Sequence, residues 1–191
     1  VLELAQLNSA FESGMKSPLD DAILAHEAIK AERWSKIDEV PFDFERRRIS
    51  VLVDDGTTRL LVVKGAPEDI ITLSTHVEDE HGVIQPMDEE SRRRLVTNFE
   101  QLGSEGYRVL AVASRAMPPH HTDAIVDDET DLTFSGFLAF VDPPKSDAAR
   151  SIEALAATGI EVKILTGDNE QITKHICTSI GVSIKGLLTG R

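Results

Sequence analysis

Two stretches place cations and an aromatic ring where a strand gives way to a turn. Lys64-Gly65-Ala66-Pro67-Glu68 sets an ammonium at the end of an apolar run, with a glycine for a sharp turn and a helix start presenting free amides behind it. Such a lysine reaches an anion or lies along an aromatic ring, and a solvated strand-end lysine is the other reading. In Pro41-Phe42-Asp43-Phe44-Glu45-Arg46-Arg47-Arg48-Ile49-Ser50-Val51, the Pro-Phe step interrupts the strand pattern, so Phe42 need not follow the parity of what comes after. Arg47, Ile49 and Val51 are expected to share one face of the following strand. A phenylalanine exposed beside cations stacks on a purine, worth about 1–3 kcal/mol per base, and a core position is the alternative. Phe44 is expected in the core.

Three further segments have phosphate chemistry within reach. Gly106-Tyr107-Arg108-Val109-Leu110-Ala111-Val112 starts an apolar strand with a guanidinium, which either grips a phosphate through two parallel hydrogen bonds or pairs with a carboxylate. Asp142-Pro143-Pro144-Lys145 follows an apolar strand, and its prolines force the chain out of the sheet with an acid displayed. Thr166-Gly167-Asp168-Asn169 combines a hydroxyl, a flexible glycine and helix N-terminal amides, a set suited to a phosphoryl group or a magnesium-bound phosphate. Both segments lie at the carboxyl edge of expected strands, where open α/β sheets bind ligands.

The elements that must hold these segments fall into two grammars. Ser17-Pro18 opens a helix with a cap and a first-turn proline. Residues from about 37 to 63 alternate as strands around an Asp54-Asp55-Gly56 turn, and a second hairpin is expected near Glu80-His81-Gly82. A helix from Asp88 to Gly106 and a strand from Tyr107 to Ser114 follow, then a polar loop to Asp131. This first part, 1–135, reads as α+β with an antiparallel sheet. From 136 to 191 apolar strands (136–141, 160–165) alternate with helices (146–157, 170–180), the pattern of an incomplete parallel α/β segment.

Composition removes several classes of function. Among 191 residues, 20 basic against 33 acidic side chains leave a net charge of −13, which argues against nucleic acid as a partner. A small anion remains compatible where a few cations and amides converge. No apolar run approaches the roughly 18 residues of a membrane span, and nothing resembles a signal peptide. The single cysteine, Cys177, is expected as buried filler on a helix. His120-His121 sits in the polar loop without further ligands of clear spacing and is expected to be solvated; no metal ligands are assigned.

Taken in order, PFDFERRRISV, KGAPE, GYRVLAV, DPPK and TGDN resemble the nucleotide-binding and phosphorylation domains of P-type ATPases, across essentially the whole chain. With LNSAFESGMKSPLDDAIL they are most similar to the bacterial magnesium-importing branch. The resemblance implies ATP and Mg2+ as cofactors. It casts Phe42 as the ring on adenine, Lys64 as the floor of that pocket and Gly65 as the residue allowing close approach. Asp20 takes the place of an acid near the adenine amino group, Arg47 and Ile49 line the wall, and Arg108 contacts the phosphate chain. Asp142 and Thr166-Gly167-Asp168 belong to a haloacid-dehalogenase-like phosphorylation domain, the last three beside the transferring phosphoryl group and its magnesium.

The family's DKTGT, GDGxND and TGE segments do not occur in the sequence, nor do transport helices. On this reading the chain is a monomeric piece from the cytoplasmic side of a bacterial inner-membrane pump. It binds ATP without being phosphorylated, and its partners are the rest of the pump. Phe42→Ala or Lys64→Glu is expected to weaken ATP binding with the fold intact. A stand-alone phosphatase would need a nucleophilic aspartate after a first strand, where Val1–Ala10 is helix-like and carries only Glu3. An adenine-nucleotide sensor module would differ from the pump in what the upstream gene sequence encodes.

Overall fold

A computed structural model describes residues 1–14, 16–26, 33–141, 147–166 and 170–188. Helices α1 (Leu2–Phe11) and α2 (Pro18–Leu24) precede strands β1 (Ser35–Asp43), β2 (Arg48–Asp54) and β3 (Arg59–Gly65). Then come α3 (Pro67–Leu73), β4 (Ser74–Glu78), β5 (Ile84–Pro86), α4 (Glu89–Ser104), β6 (Tyr107–Met117), a 3-10 turn at Val126–Asp128 and β7 (Leu132–Val141). Helices α5 (Ala148–Ala157) and α6 (Glu170–Ser179) close the described chain.

The seven strands form one sheet in the order β1-β2-β3-β6-β7-β4-β5. β1, β2, β3 and β6 pair antiparallel in succession, but β4 pairs parallel with β7. The sheet is therefore mixed, which corrects the antiparallel expectation. β7 does find a parallel partner in β4 of the same sheet, but through Leu132, Thr133 and Phe134, ahead of the 136–141 stretch whose both-sided apolar pattern marked it as a parallel strand. The second expected strand, 160–165, is absent: residues 160–166 carry no strand. A strand exists only through ladder pairing with a neighbouring strand, and none of the described strands pairs with this segment. Its Ile160, Val162, Ile164 and Leu165 are exposed, Leu165 by 97%.

Alternation explains the two faces of the central strands. Leu52, Leu61, Val63, Ala111 and Ala113 enter one apolar cluster with Ile70, Ile71, Leu132 and Phe134. Leu95 of α4 and Phe137 of β7 pack against that cluster. On the opposite face, Val51 pairs with Val62 and Ile49 with Lys64. Asn8 of α1 reaches β2 and β3, donating from Nδ2 to the carbonyls of Ile49 (3.2 Å) and Val62 (2.9 Å).

The chain divides into two compact units, 1–99 with 109–138, and 100–108 with 139–191. In the second, Cys177 on α6 is buried, as its apolar reading required.

Candidate functional site

The site grows from the ends of three adjacent strands. β1 slips register between Val40 and Asp43, so that Asp43 faces Arg48. By strand alternation Phe42 then shares the face of Ile49, whose partner on β3 is Lys64. Phe42 is half exposed, while Ile49 is buried beneath. The break expected at Pro41-Phe42 is thus an irregularity within β1 and does not end the strand.

Lys64 is not the solvated strand-end lysine; it is 5% exposed. Its ammonium donates to Ser9 Oγ at 2.6 Å and to Asp20 Oδ1, with Glu12 Oε2 at 3.8 Å. Ser9 in turn donates to Asp20 Oδ1 at 2.9 Å. The other oxygen of Asp20 closes the cap of α2, accepting from the Ser17 amide (2.9 Å) and hydroxyl (2.6 Å). One carboxylate thereby joins the start of α2 to the end of β3, with Ser9 of α1 between them.

Charge follows from that packing. Burial opposes the ionised form of Asp20, but hydrogen bonds from Lys64 and Ser17 outweigh it and hold the carboxyl well below its usual range. Burial raises Glu12 to about 7, and the neighbouring Asp20 carboxylate reinforces the rise against the opposing pull of Lys64. Ser9 and Glu12 carry no role in the sequence reading. Their i, i+3 spacing, which sets two polar side chains on one side of a chain otherwise expected to be helical there, is the signal that could have found them.

Gly65 has a steric reason. A Cβ there would lie 2.5 Å from the Arg47 carbonyl oxygen and from Arg48 Cβ, so only glycine lets the end of β3 approach the turn before β2. The amide of Ala66 donates to that same Arg47 carbonyl at 3.0 Å, so this amide of the KGAPE segment is engaged. Arg47 itself stands in the turn at φ 51° and not on the strand face with Ile49 and Val51, because β2 begins at Arg48. Its Nε donates to Asp69 Oδ2 at 3.0 Å. Phe44 also departs from expectation. It is 89% exposed and stands edge-on to Phe42, ring centroids 5.2 Å apart and planes at 86°. The turn points it outward, since Asp43 Oδ1 accepts from the amides of Glu45 (2.9 Å) and Arg46 (2.8 Å).

A buried acid that the sequence reading passed over anchors the same turn. Glu129, 0% exposed, accepts from Arg46 Nη1 (2.8 Å to each oxygen), Arg48 Nε (2.7 Å) and Ser50 Oγ (2.6 Å). Arg108 is exposed as the second residue of β6, and Thr166 is exposed in the second unit. Asp142, Gly167 and Asp168 lie outside the described residues. A surface depression of about 340 Å³ lined by His120, His121, Thr122, Asp123 and Ile125 lies near the other end of β3, where Arg59 donates to the His121 carbonyl at 2.6 Å. His121 Nε2 sits 2.9 Å from Asp128 Oδ2 there, a pairing in place of the solvated ring expected. No group of three or more metal-ligating side chains gathers among the described residues.

Phe42, Ile49, Lys64, Gly65 and Asp20 are thus brought together, and Arg47 borders them. The combination offers an exposed aromatic face above a buried, internally neutralised ion pair. Its exposed ring suits a flat heterocycle.

Comparison with known proteins identifies the family. The family model described as P-type ATPase, cytoplasmic domain N, matches residues 3–147. The whole chain is 42% identical to the "Magnesium-transporting ATPase, P-type 1" of Salmonella typhimurium and 41% identical to the protein of that name in Escherichia coli strain K12. It is 31% identical, over 78% of its length, to the "Calcium-transporting ATPase 3, endoplasmic reticulum-type" of Arabidopsis thaliana, of which it covers 15%. The chain spans 22% of the two bacterial relatives. By the extent of the model match and the order of the motifs within it, this chain belongs to the P-type ATPases.

Proposed function

We propose that the chain binds ATP with the adenine on Phe42, over Lys64 and Gly65 and beside Asp20. The observation that carries this reading is the convergence of an exposed ring and a buried Lys64–Asp20 pair on one face of three neighbouring strands. Stacking on Phe42 supplies affinity, and Asp20, whose two oxygens accept from Lys64, Ser9 and Ser17, is the acid that fixes Lys64 at the adenine end of the site. Lys64 keeps that acid ionised and lends its aliphatic stem to the pocket. Arg47 lines the wall, with its guanidinium oriented by Asp69. Arg108 is proposed to meet the phosphates, and Mg2+ accompanies them as counter-ion. Where Mg2+ is bound, it neutralises the phosphate charge.

In the complete protein this stretch positions ATP for in-line transfer of the γ-phosphoryl group to an aspartate elsewhere in the chain, followed by hydrolysis coupled to cation movement. The identity to magnesium-transporting relatives makes magnesium import the proposed transport, from the cytoplasmic side of a bacterial membrane. No helix among the described residues is long and apolar enough to cross a membrane. Residues 1–135 act as the nucleotide-binding part, and 136–191, with Asp142 and Thr166-Gly167-Asp168, contribute to the phosphorylation part.

Calorimetric titration of ATP into the parent chain and Phe42→Ala tests the site. The variant is expected to bind roughly tenfold more weakly or worse, since a lost base stack is worth about 1–3 kcal/mol. Equal affinities sink the assignment. Lys64→Glu, attractive from sequence, is not a clean test. It sets a third carboxylate beside Asp20 and Glu12 in a buried position, so the fold would suffer first.

A further inference from the structure

We infer that Phe44 is a second base-contacting ring, which makes the nucleotide site an aromatic corner of two perpendicular faces. The inference rests on the ATP reading above and assigns a further specificity-determining residue to that site. Phe44 is 89% exposed, although a ring of this size leaves water wherever packing offers it a place. Its exposure is not slack in the chain. The backbone that carries it is fastened on both sides. Asp43 caps the amides of Glu45 and Arg46, and the Arg47 amide closes back on the Asp43 carbonyl at 2.7 Å. Arg46 ties the turn to the Pro41 carbonyl at 2.6 Å and to buried Glu129.

A rigid turn that holds an apolar ring in solvent, at 86° and 5.2 Å from a half-exposed Phe42, presents two π surfaces of different orientation to one flat ligand. A heterocycle stacked on one ring meets the other with its edge, where ring hydrogens and an exocyclic amino group carry positive charge suited to a π face. The longer edge of a purine reaches both rings more readily than a pyrimidine does, so the corner favours adenine by size as well as by stacking.

The test uses the full chain with Phe44→Ala, Phe44→Trp and Phe42→Ala, titrated with ATP by calorimetry and with adenosine by NMR shifts. Phe44→Ala is expected to weaken ATP and adenosine by the same factor, about tenfold, and Phe44→Trp to restore both. Because Phe44 is outside the core, its variants should melt with the parent. Parental affinity in Phe44→Ala, with loss in Phe42→Ala, overturns the second ring and leaves the site standing. A loss confined to ATP, with adenosine unaffected, also overturns it, since the ring would then act through the phosphates. Parental affinity in both alanine variants overturns the inference and the ATP site together.

Discussion

At the scale of single residues, the ion cluster under Phe42 is governed by burial. Three ionisable groups, Lys64, Asp20 and Glu12, have side chains at most 8% exposed, and they cannot all be charged cheaply. The cluster is neutral when Lys64 and Asp20 are ionised and Glu12 keeps its proton, and burial pushes Glu12 to about 7. The sign of the linkage follows. Glu12 titrates higher folded than unfolded, so its contribution is complete below the ordinary carboxyl range near 4.5 and is lost as pH rises through about 7. Asp20, held low by Lys64 and Ser17, has the opposite sign and stabilises above its ordinary 3.8. Urea unfolding should therefore show the parent losing about 2 kcal/mol between pH 5 and 8, after allowance for partial solvent screening, relative to Glu12→Gln. Parallel pH profiles for the two proteins would refute the buried, protonated Glu12. The Phe42, Lys64 and Gly65 positions were legible because a strand-end cation, a glycine and a ring leave a local signature. Glu12 was not, because its role depends on α1 meeting β3 across some fifty residues, which no local pattern encodes.

The decisive element is the Asp43–Arg48 turn. It holds Phe44 and Arg47 and follows directly on Phe42, and its geometry is imposed by Glu129, some eighty residues onward. Three donors converge on one carboxylate with no exposure, so Glu129 neutralises two guanidinium groups that are themselves only 13% and 18% exposed. Removing one partner of a buried pair leaves charge uncompensated, at a cost of about 3–5 kcal/mol. Glu129→Ala should lower the urea midpoint accordingly, whereas Ser50→Ala, which removes a single neutral donor, should cost about 1 kcal/mol. A Glu129→Ala protein as stable as the parent would mean that the turn holds itself. In sequence, Glu129 is one acid in an acidic run, Asp127-Asp128-Glu129, and nothing local separates it from exposed Asp127 or from Asp128, which pairs with His121. Strand parity puts Arg47 on one face with Ile49 and Val51. The left-handed Arg47 sends Arg46 and Arg48 to Glu129 and Arg47 itself to Asp69, a sorting that strand parity alone cannot anticipate.

On the scale of the whole molecule, the hairpins, the helices and the burial of Cys177 were visible as periodicity and punctuation, while the sheet's partnership was not. Apolar character on both faces of β7 signals burial but says nothing of which strand lies alongside, and the residues of β4 lie 57 or 58 positions upstream of their partners in β7. The sequence boundary near Ser135 therefore falls inside β7, whose Phe137 packs edge-on against Phe134 at 5.0 Å and faces Phe99 of α4 at 6.4 Å. Residues 160–166 show the converse case: a strand-like pattern that, without a neighbouring strand, leaves Leu165 in solvent. These two facts make the boundary measurable. A chain ending at Val141 retains Phe137 and all seven strands and should melt with the cooperativity of the full chain. A chain ending at Ser135 loses that aromatic packing, worth about 3 kcal/mol or more for a phenylalanine removed from a core, and should unfold at distinctly lower urea. Coincident urea midpoints for the two truncations would mean that the strand beyond Ser135 adds nothing to the sheet, and the nucleotide-binding part would then end where its apolar alternation first changes character.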